Sequence, residues 1–484
     1  MLDDMCTPLT RTSNPATTAH ANRLPPELLS RIFSLMGFFC VLDETSRING
    51  PAGVCRYWRQ VAVDAAYLWT HVDIGTKVPR GLTELLLRRS KSAPIHVHAI
   101  SPELDENQTD SDSFTRDRAE ESIVVALEPH IHRSRTLNIH SADYYGYFIQ
   151  AMLNAWSNPE NTPSPLQSLS AILLDPYSTL LAPRQDSARE NWERALTALS
   201  SLYLYGTAFN WDSNIYRGLI DLQLNFAPAY SAPRISTLQL TSILSICPAL
   251  VILKLAGMAV DDLDDWIRPA PIVMEHLKVL NFANMSPEHA CSMLSLCTVP
   301  GPRAELGTIL SNSSTLDNRL VDFFARSKIT TLYCTIGECE GECDGCIYND
   351  DCDGGVLKAL VSFPQHLPHT HTLVLDELIL IDALTPELDT KPLPPASQAH
   401  MHNVVVLECL VDFDNLRRLV THLGTQDLHL EKCTTSRLTN HPHQQELERI
   451  QTSLVEVYPY LHCSISNTDS TNQLACRTIF DPWT

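Results

Sequence analysis

A short pattern that favours a β-strand recurs nine times along the chain. In each copy two large apolar residues flank one other residue, as in RTLNIH, SSLYLYG, IDLQLNF and VILKLAG. Successive copies up to residue 280 lie 20 to 35 residues apart, near the period of leucine-rich repeats. Three later gaps of 41 to 55 residues require insertions or repeats that the pattern misses. The first apolar residues of the nine copies are Leu137, Ile172, Leu202, Leu222, Leu253, Leu280, Leu332, Leu373 and Leu428.

Strands of this kind cannot bury their apolar faces one by one. A strand presents alternate side chains to opposite faces, and a repeat unit buries its apolar face only by stacking on its neighbours. The pattern therefore predicts an α/β fold, an irregular leucine-rich-repeat solenoid with parallel strands and with helices on the outer side. We expect Leu174, Leu204, Leu224 and Leu255 to stack in one buried column. Because the spacing is irregular, several unrelated α/β units in a leucine-rich sequence are the alternative.

The composition excludes some classes of partner. The 484 residues are 44% hydrophobic, enough for a sizeable core, and they carry a formal net charge of −21. An acidic chain repels phosphates, so nucleic acid and an anionic membrane are not expected partners. The longest apolar run, residues 32–42, is well short of the ~20 residues that span a membrane. With no secretory signal at the N-terminus, we expect a cytoplasmic or nuclear protein, not a secreted one, whose 15 cysteines are reduced.

Two amphipathic helices are predicted ahead of the repeats. The prolines of NRLPPELLSRIFSLM suit a first helical turn, and Leu28, Ile32 and Met36 follow at helical spacing. In the segment VCRYWRQVAVDAAYLWTHVDI, Val54 and Trp58 begin a second helical stripe. A domain of about 50 residues cannot bury so wide an apolar surface by itself. We therefore expect another protein to cover part of it.

These two segments, with LLLRRSKSAPIHVHA after them, resemble an F-box, in particular the fungal type that precedes a leucine-rich-repeat region. The resemblance covers about residues 22–99, although the stretch from Met36 to Val54 is longer than the usual hinge. F-box domains dock on the Skp-family adaptor of cullin–RING ubiquitin ligases. The resemblance thus implies a substrate-recognition subunit of an SCF-type ligase, with the adaptor and the cullin scaffold as partners and repeats that bind an unknown target protein.

The same resemblance implies which residues contact the adaptor. The alternative for each of them is a place in the core of the small domain, because buried aromatic and aliphatic residues serve both roles. The nine residues are Leu24, Pro25, Leu28, Leu29, Ile32, Phe33, Val54, Cys55 and Trp58.

The predicted organisation has three parts. It consists of a disordered tail over residues 1–21, an F-box over 22–75, and a repeat-like region over 76–484 with inserted loops at 101–120, 337–355 and 384–403.

One cysteine cluster could bind a metal. The segment YCTIGECEGECDGCIYNDDCDGG holds four closely spaced cysteines, the number of thiolates that a tetrahedral zinc ion takes. The spacing is crowded and the segment is acidic, so an acidic insertion without metal is the favoured interpretation. The four residues are Cys339, Cys343, Cys346 and Cys352.

No enzyme site and no cofactor are predicted. The sequence lacks G-x-S-x-G, a P-loop and G-x-G-x-x-G. The histidines of QHLPHTHT and NHPHQQ have no acidic partner at a ligand spacing, so we expect them on the surface. Two alternatives to the ligase subunit stay open: a protein-interaction scaffold unconnected with ubiquitin, and a metal-binding protein that uses the cysteine cluster.

Overall fold

A computed structural model gives the structure of the chain. It describes residues 24–35, 53–75, 78–101, 113–142, 146–158, 166–174, 179–181, 186–226, 233–261, 269–283, 285, 287–301, 304–309, 318–335, 367–376, 379–380, 401–435 and 443–466.

Among the described residues, 14 strands form one long parallel sheet and pair in the order in which they occur along the chain, while eight shorter strands form four separate two-stranded sheets. This order is what a stack of repeats produces, and it confirms the predicted mixed α/β, solenoid-like architecture. The strands are β1 (His71–Gly75), β2 (Ile95–Ile100), β3 (Ser134–Ser141), β4 (Ser168–Leu173), β5 (Ser201–Tyr205), β6 (Asp221–Asn225), β7 (Ile252–Ala256), β8 (Val279–Ala283), β9 (Ala304–Ile309), β10 (Ile329–Thr335), β11 (Thr372–Asp376), β12 (Asn403–Leu407), β13 (Asp427–Glu431) and β14 (His462–Ser466).

Eight of the nine copies of the sequence pattern lie in strands of this sheet, and the ninth, with Ile172 and Leu174, overlaps the end of β4. The long gap after Leu280 contains β9, and the long gap after Leu373 contains β12, so each gap holds a repeat that the pattern missed. In β9 the second apolar position is occupied by Thr308, which pairs with Cys334 of β10. β12 uses Val404 and Val406 where the other strands have leucine.

The apolar residues of neighbouring strands stack in register. Leu204 pairs with Leu224 and Leu224 with Leu255, and all three are buried, as predicted. The prediction for Leu174 was wrong, because Leu174 lies beyond the end of β4 and is 60% exposed. Its place in the column belongs to Ala171, which pairs with Leu204. The inward positions of β4 are Leu169, Ala171 and Leu173, one residue out of phase with the predicted Ile172 and Leu174. Because alternate residues of a strand face opposite sides, a shift of one residue changes which side chains point inward.

Helices connect many of the strands and cover the leucine side of the sheet. Their buried residues and the strand leucines belong to one continuous hydrophobic core. The helices are α1 (Pro26–Ser34), α2 (Arg56–Asp64), α3 (Arg80–Arg89), α4 (Ser113–Leu127), α5 (Tyr147–Ser157), α6 (Asp186–Leu196), α7 (Thr237–Ser245), α8 (Pro287–Ser295), α9 (Asn318–Arg326), α10 (Phe413–Leu423) and α11 (His443–Val457).

Helix α10 illustrates how the local sequence sets these elements. The Asp412 side chain caps its first turn by accepting a hydrogen bond from the Asn415 backbone N–H at 2.8 Å. Gly424 ends the helix with a left-handed conformation, φ +63°. Between these ends, Leu416 and Leu419 recur at helical spacing and are buried against the sheet.

Gly257 permits a tight turn directly after β7. Its φ is +62°, and a Cβ atom placed on it would lie 2.0 Å from the carbonyl oxygen of Phe226. Only glycine allows neighbouring repeats to approach so closely at this turn. Gly206 has the same role after β5, where a Cβ atom would lie 2.4 Å from the carbonyl oxygen of Leu173.

One of the predicted loops differs from the structure. The loop predicted over residues 101–120 is partly helical, because α4 begins at Ser113. The first strand of the long sheet, β1, lies at the end of the range predicted for the F-box, residues 22–75. The predicted tail at 1–21 and the loops at 337–355 and 384–400 lie outside the described residues, whereas residues 401–403 are described.

Two further observations concern membrane-spanning helices and redox state. Within the described parts of the chain, no helix combines the length and the apolar composition needed to cross a membrane. The cysteines in these parts, among them Cys247 and Cys433, carry no disulfide.

Candidate functional site

Helix α1 begins at a pair of prolines. Pro25 has φ −58° and ψ 150°, and its carbonyl oxygen accepts a hydrogen bond from the Leu29 backbone N–H at 3.1 Å. Pro26 occupies the first helical position, where a missing N–H costs nothing. Glu27 follows in the first turn, where the helix dipole favours an acidic side chain. The sequence thus fixes where the helix starts and therefore which residues share a face.

Two adjacent apolar stripes run along α1 and face in different directions. Leu29 and Phe33 are 0% and 2% exposed and pack in the core. Leu28, Ile32 and Leu35 follow at i, i+4 and i+7 and are 53%, 42% and 80% exposed. We call these three exposed residues the docking stripe. A helix whose second apolar stripe is uncovered has a surface suited to a partner protein.

Helix α2 holds α1 in place from one side. The Phe33 and Trp58 rings pack with their centroids 5.2 Å apart, and the Tyr57 hydroxyl donates a hydrogen bond to the Leu24 carbonyl oxygen at 2.8 Å. Cys55 caps α2, since its Sγ accepts from the Trp58 backbone N–H at 3.5 Å. These contacts fix the orientation of the docking stripe.

The small helical unit is also attached to the start of the sheet. The Trp69 indole N–H donates to the Ala62 carbonyl oxygen at 2.7 Å, and the Arg89 guanidinium lies 4.4 Å above the Trp69 ring. The Lys91 ammonium donates to the Asp64 carbonyl oxygen at 3.2 Å. The stripe is therefore carried by a unit that is packed against β1 and α3, and it is not on a loose extension.

The structure divides the nine residues predicted to contact an adaptor into three groups. Pro25, Leu28, Ile32 and Val54 are exposed, whereas Leu24, Cys55 and Trp58 are half-buried. Leu29 and Phe33 are core residues, 0% and 2% exposed, and they support the helix from its buried side. Adaptor contact by any of the nine residues stays a prediction.

Leu35 is a surface residue that the predicted set missed. It lies at the C-cap of α1 and is the most exposed member of the docking stripe. Its spacing from Leu28 and Ile32 is the signal that could have identified it, because i, i+4 and i+7 lie on one helical face.

A second cluster of polar side chains lies at the start of the sheet. Oδ1 of Asp73 is 3.2 Å from Nε2 of His71 and 3.2 Å from Nδ1 of His98. The His98 and His140 rings pack edge to face with centroids 4.7 Å apart. Burial, and secondarily the charge of His98, lowers the pKa of His140 to about 4, which keeps that ring neutral near pH 7. The set of His71, Asp73 and His98 could hold a metal ion.

The other predicted polar sites are only partly described. The four clustered cysteines, Cys339, Cys343, Cys346 and Cys352, lie outside the described residues. His369 and His371 are described and are exposed, as expected of surface histidines.

Comparison with known protein families identifies one region of the chain. The model of a family described as F-box-like matches residues 21–75. This range contains α1, α2, the docking stripe and β1. No curated protein matches the chain. Residues 21–75 thus form an F-box-like domain, which supports a role in protein interaction.

Proposed function

We propose, on the premise of the F-box-like domain at residues 21–75, that the chain is the substrate-recognition subunit of an SCF-type ubiquitin ligase. The domain docks on a Skp-family adaptor that is bound to a cullin scaffold, and the sheet holds a target protein. The observation that carries this proposal is the docking stripe, three exposed apolar side chains on one face of a helix inside the matched region.

The chemistry of the stripe fits an apolar groove on a partner protein. An amphipathic helix that inserts i, i+4 and i+7 anchors into such a groove is a common mode of recognition. Full burial of an aliphatic side chain contributes about 1.5–3 kcal/mol, and these side chains are already partly covered, so each contributes on the order of 1 kcal/mol. Val54, just before the α2 cap, is a further exposed apolar residue of the matched region.

A row of polar residues on the opposite side of the sheet from the leucines is the proposed target surface. Its members pair in register across neighbouring strands and alternate with the buried leucines. Asn138 and Gln223 within it are half-buried, so solvent reaches them, whereas Ser170, Tyr203, Lys254 and Asn281 are buried, so a target protein contacts the row mainly at its half-buried positions. A solenoid presents an extended surface of this kind to a protein partner. The row consists of Asn138, Ser170, Tyr203, Gln223, Lys254 and Asn281.

In this proposal the chain performs no bond chemistry and works in the cytoplasm or the nucleus. It raises the effective concentration of target lysines near the ubiquitin-conjugating enzyme, because one polypeptide holds both the ligase and the target. Substitutions that abolish adaptor binding by the docking stripe, or target binding by the sheet, then each abolish target ubiquitylation and leave the other surface unchanged.

Co-purification with a Skp-family adaptor tests the docking step. We expect the full chain to retain the adaptor, and the triple variant Leu28→Ala, Ile32→Ala, Leu35→Ala to lose it. The control is Leu238→Ala with Val457→Ala, which truncates exposed apolar residues of α7 and α11. Failure of the wild-type chain to bind, or equal retention by the triple variant, contradicts the proposal.

A reconstituted ligase separates the proposal from an interaction scaffold unconnected with ubiquitin. Proteins captured from a lysate by the triple variant, which leaves the sheet intact, are added to the wild-type complex with cullin, RING subunit and conjugating enzyme. We expect ubiquitin transfer to a captured protein. Adaptor binding without transfer to any of them favours the scaffold.

A further inference from the structure

The sequence places three potential metal ligands on one face of the first two strands. In β1, His71 and Asp73 are two residues apart and so lie on the same face. Asp73 pairs in parallel register with His98 of β2, which brings the second histidine beside the carboxylate. This face is opposite to the one on which Val72 and Val97 pack into the core.

The distances match those between the ligands of a small tetrahedral ion. Zinc binds histidine nitrogens and carboxylate oxygens at about 2.0–2.2 Å, which places adjacent ligand atoms roughly 3.3–3.5 Å apart. Oδ1 of Asp73 is 3.2 Å from each histidine nitrogen, and the three atoms all lie within 4.8 Å of one another. The Asp73 oxygen thus lies at a ligand-to-ligand distance from both histidine nitrogens, and the two nitrogens need only approach each other to surround an ion.

The side chains are also well buried. The exposed fractions are 11% for His71, 0% for Asp73 and 4% for His98. A carboxylate taken out of water is costly unless a positive charge and hydrogen bonds compensate for it. A bound cation supplies that compensation and leaves both imidazoles neutral, the form that coordinates metals.

We propose that His71, Asp73 and His98 bind one zinc ion. Two imidazole nitrogens and one carboxylate oxygen suit a first-row divalent metal of the zinc type. Calcium and magnesium prefer six or more oxygen ligands or a shell of waters, and this set does not offer them. Three protein ligands leave the fourth tetrahedral position for water.

The far end of the same sheet provides an internal comparison. In β13, His429 and Glu431 repeat the i, i+2 arrangement, with Nε2 and Oε2 3.5 Å apart and the glutamate side chain fully buried. His429 pairs with Ser464 of β14 and with Val405 of β12. Neither paired position therefore supplies a second imidazole beside His429 and Glu431. Two strong ligands are too few for tight zinc binding. His429 therefore serves as a matched control.

The position of the site gives it a structural consequence. β1 follows the helices of the F-box-like domain directly, and the Thr83 hydroxyl of α3 donates to the Asp73 carbonyl oxygen at 2.9 Å. A zinc ion bound by both strands would cross-link β1 to β2 next to the helical unit that carries the docking stripe. Because the unfolded chain does not preform the site, zinc binding stabilises the folded chain.

Zinc titration of the full chain tests the proposal. The starting protein carries Cys339→Ser, Cys343→Ser, Cys346→Ser and Cys352→Ser, which excludes the cysteine cluster as a source of bound metal. We expect about one equivalent of zinc after dialysis and a thermal midpoint that a chelator lowers. His71→Gln and His98→Gln should each weaken zinc binding at least about tenfold, whereas His429→Gln should not change it.

Cobalt provides a readout that does not depend on variants. Co²⁺ in this site should give the visible absorption of a tetrahedral ion without the thiolate charge-transfer band that cysteine ligands produce. Circular dichroism of each variant shows whether it is folded, and His71, the most exposed of the three, is the substitution best tolerated. Less than a tenth of an equivalent of zinc in the starting protein overturns the proposal. So does zinc binding that His71→Gln and His98→Gln leave unchanged, or that His429→Gln weakens equally.

Discussion

The docking stripe and the leucine columns use the same kind of residue in opposite ways. The leucines of the columns, such as Leu224 and Leu255, have neighbours on the strands before and after them and lie in the core. Leu28 and Leu35 of the stripe lie on a helix whose other face is already packed. The difference lies in what the chain supplies to cover them. A repeat array supplies the next repeat, and the described part of the small N-terminal domain supplies nothing further.

This difference assigns distinct roles to the two regions. A residue covered by its own chain contributes to folding, so its truncation costs stability. A residue left exposed contributes to folding weakly, and its truncation is felt only when a partner covers it. The following variants test that division, from the largest expected change in unfolding free energy to the smallest.

Truncation of a column leucine should have the largest effect. Leu224→Ala removes a buried side chain between Leu204 and Leu255, and we expect a loss of about 2–5 kcal/mol in the free energy of unfolding. Denaturant unfolding measures it. The control Leu238→Ala, at an exposed position of α7, should change stability by less than about 0.5 kcal/mol. Equal losses of unfolding free energy in Leu224→Ala and Leu238→Ala would contradict the distinction between buried and exposed leucines.

Replacement of the turn glycine after β7 should come next. Gly257→Ala adds a Cβ atom against the Phe226 carbonyl oxygen at a positive φ, and we expect a loss of about 2–4 kcal/mol. Gly218 has a similar φ of +74° but open space around its Cβ position. Gly218→Ala should therefore cost only the backbone strain, about 1–2 kcal/mol. Thermal unfolding of both variants distinguishes the cost of the backbone strain from the cost of the close Cβ contact. A loss of stability in Gly218→Ala as large as that in Gly257→Ala would contradict the packing described for the turn.

Thiol labelling compares the accessibility of cysteines in the two regions without any change in stability. Burial raises the pKa of Cys297 to about 12 and that of Cys433 to about 11, so both thiols stay protonated and covered at pH 8. Cys55, half-buried at the α2 cap, should react with iodoacetamide faster than either of them, and a bound adaptor should slow its reaction. Peptide-level mass spectrometry gives the three rates. Fast labelling of Cys297 in the folded chain would show that the core opens, and an unchanged Cys55 rate with the adaptor bound would place the contact elsewhere.

Much of the sheet could be predicted from the sequence, because apolar residues that alternate along the chain and recur at a repeat-like spacing strongly favour stacked strands. The errors came where that signal is ambiguous. SAILLD is apolar on both faces, so its register, and with it the position of Leu174, could not be read from the pattern. The strand at 304–309 was missed because Gly307 and Thr308 break the pattern.

The sites were harder to predict than the fold. Both stripes of α1 are apolar, and the packing of the helix, including the contact of Phe33 with Trp58, places Leu28 outward and Leu29 inward. The cluster of His71, Asp73 and His98 draws on two strands. The sequence contains H-x-D in one strand and H-x-H in the next. These motifs indicate a cluster only once the strand register is known to pair Asp73 with His98.

The most direct test of the account compares two substitutions at the same short helix. Leu28→Ala with Ile32→Ala removes exposed side chains, and Leu29→Ala removes a buried one. For each variant, calorimetry gives the adaptor Kd and denaturant titration gives the unfolding free energy. We predict that the first variant raises the Kd at least about tenfold and changes stability by less than about 0.5 kcal/mol. Leu29→Ala should lose about 2–5 kcal/mol of stability. An unchanged Kd in the first variant, or a stability loss as large as that of Leu29→Ala, would contradict the account.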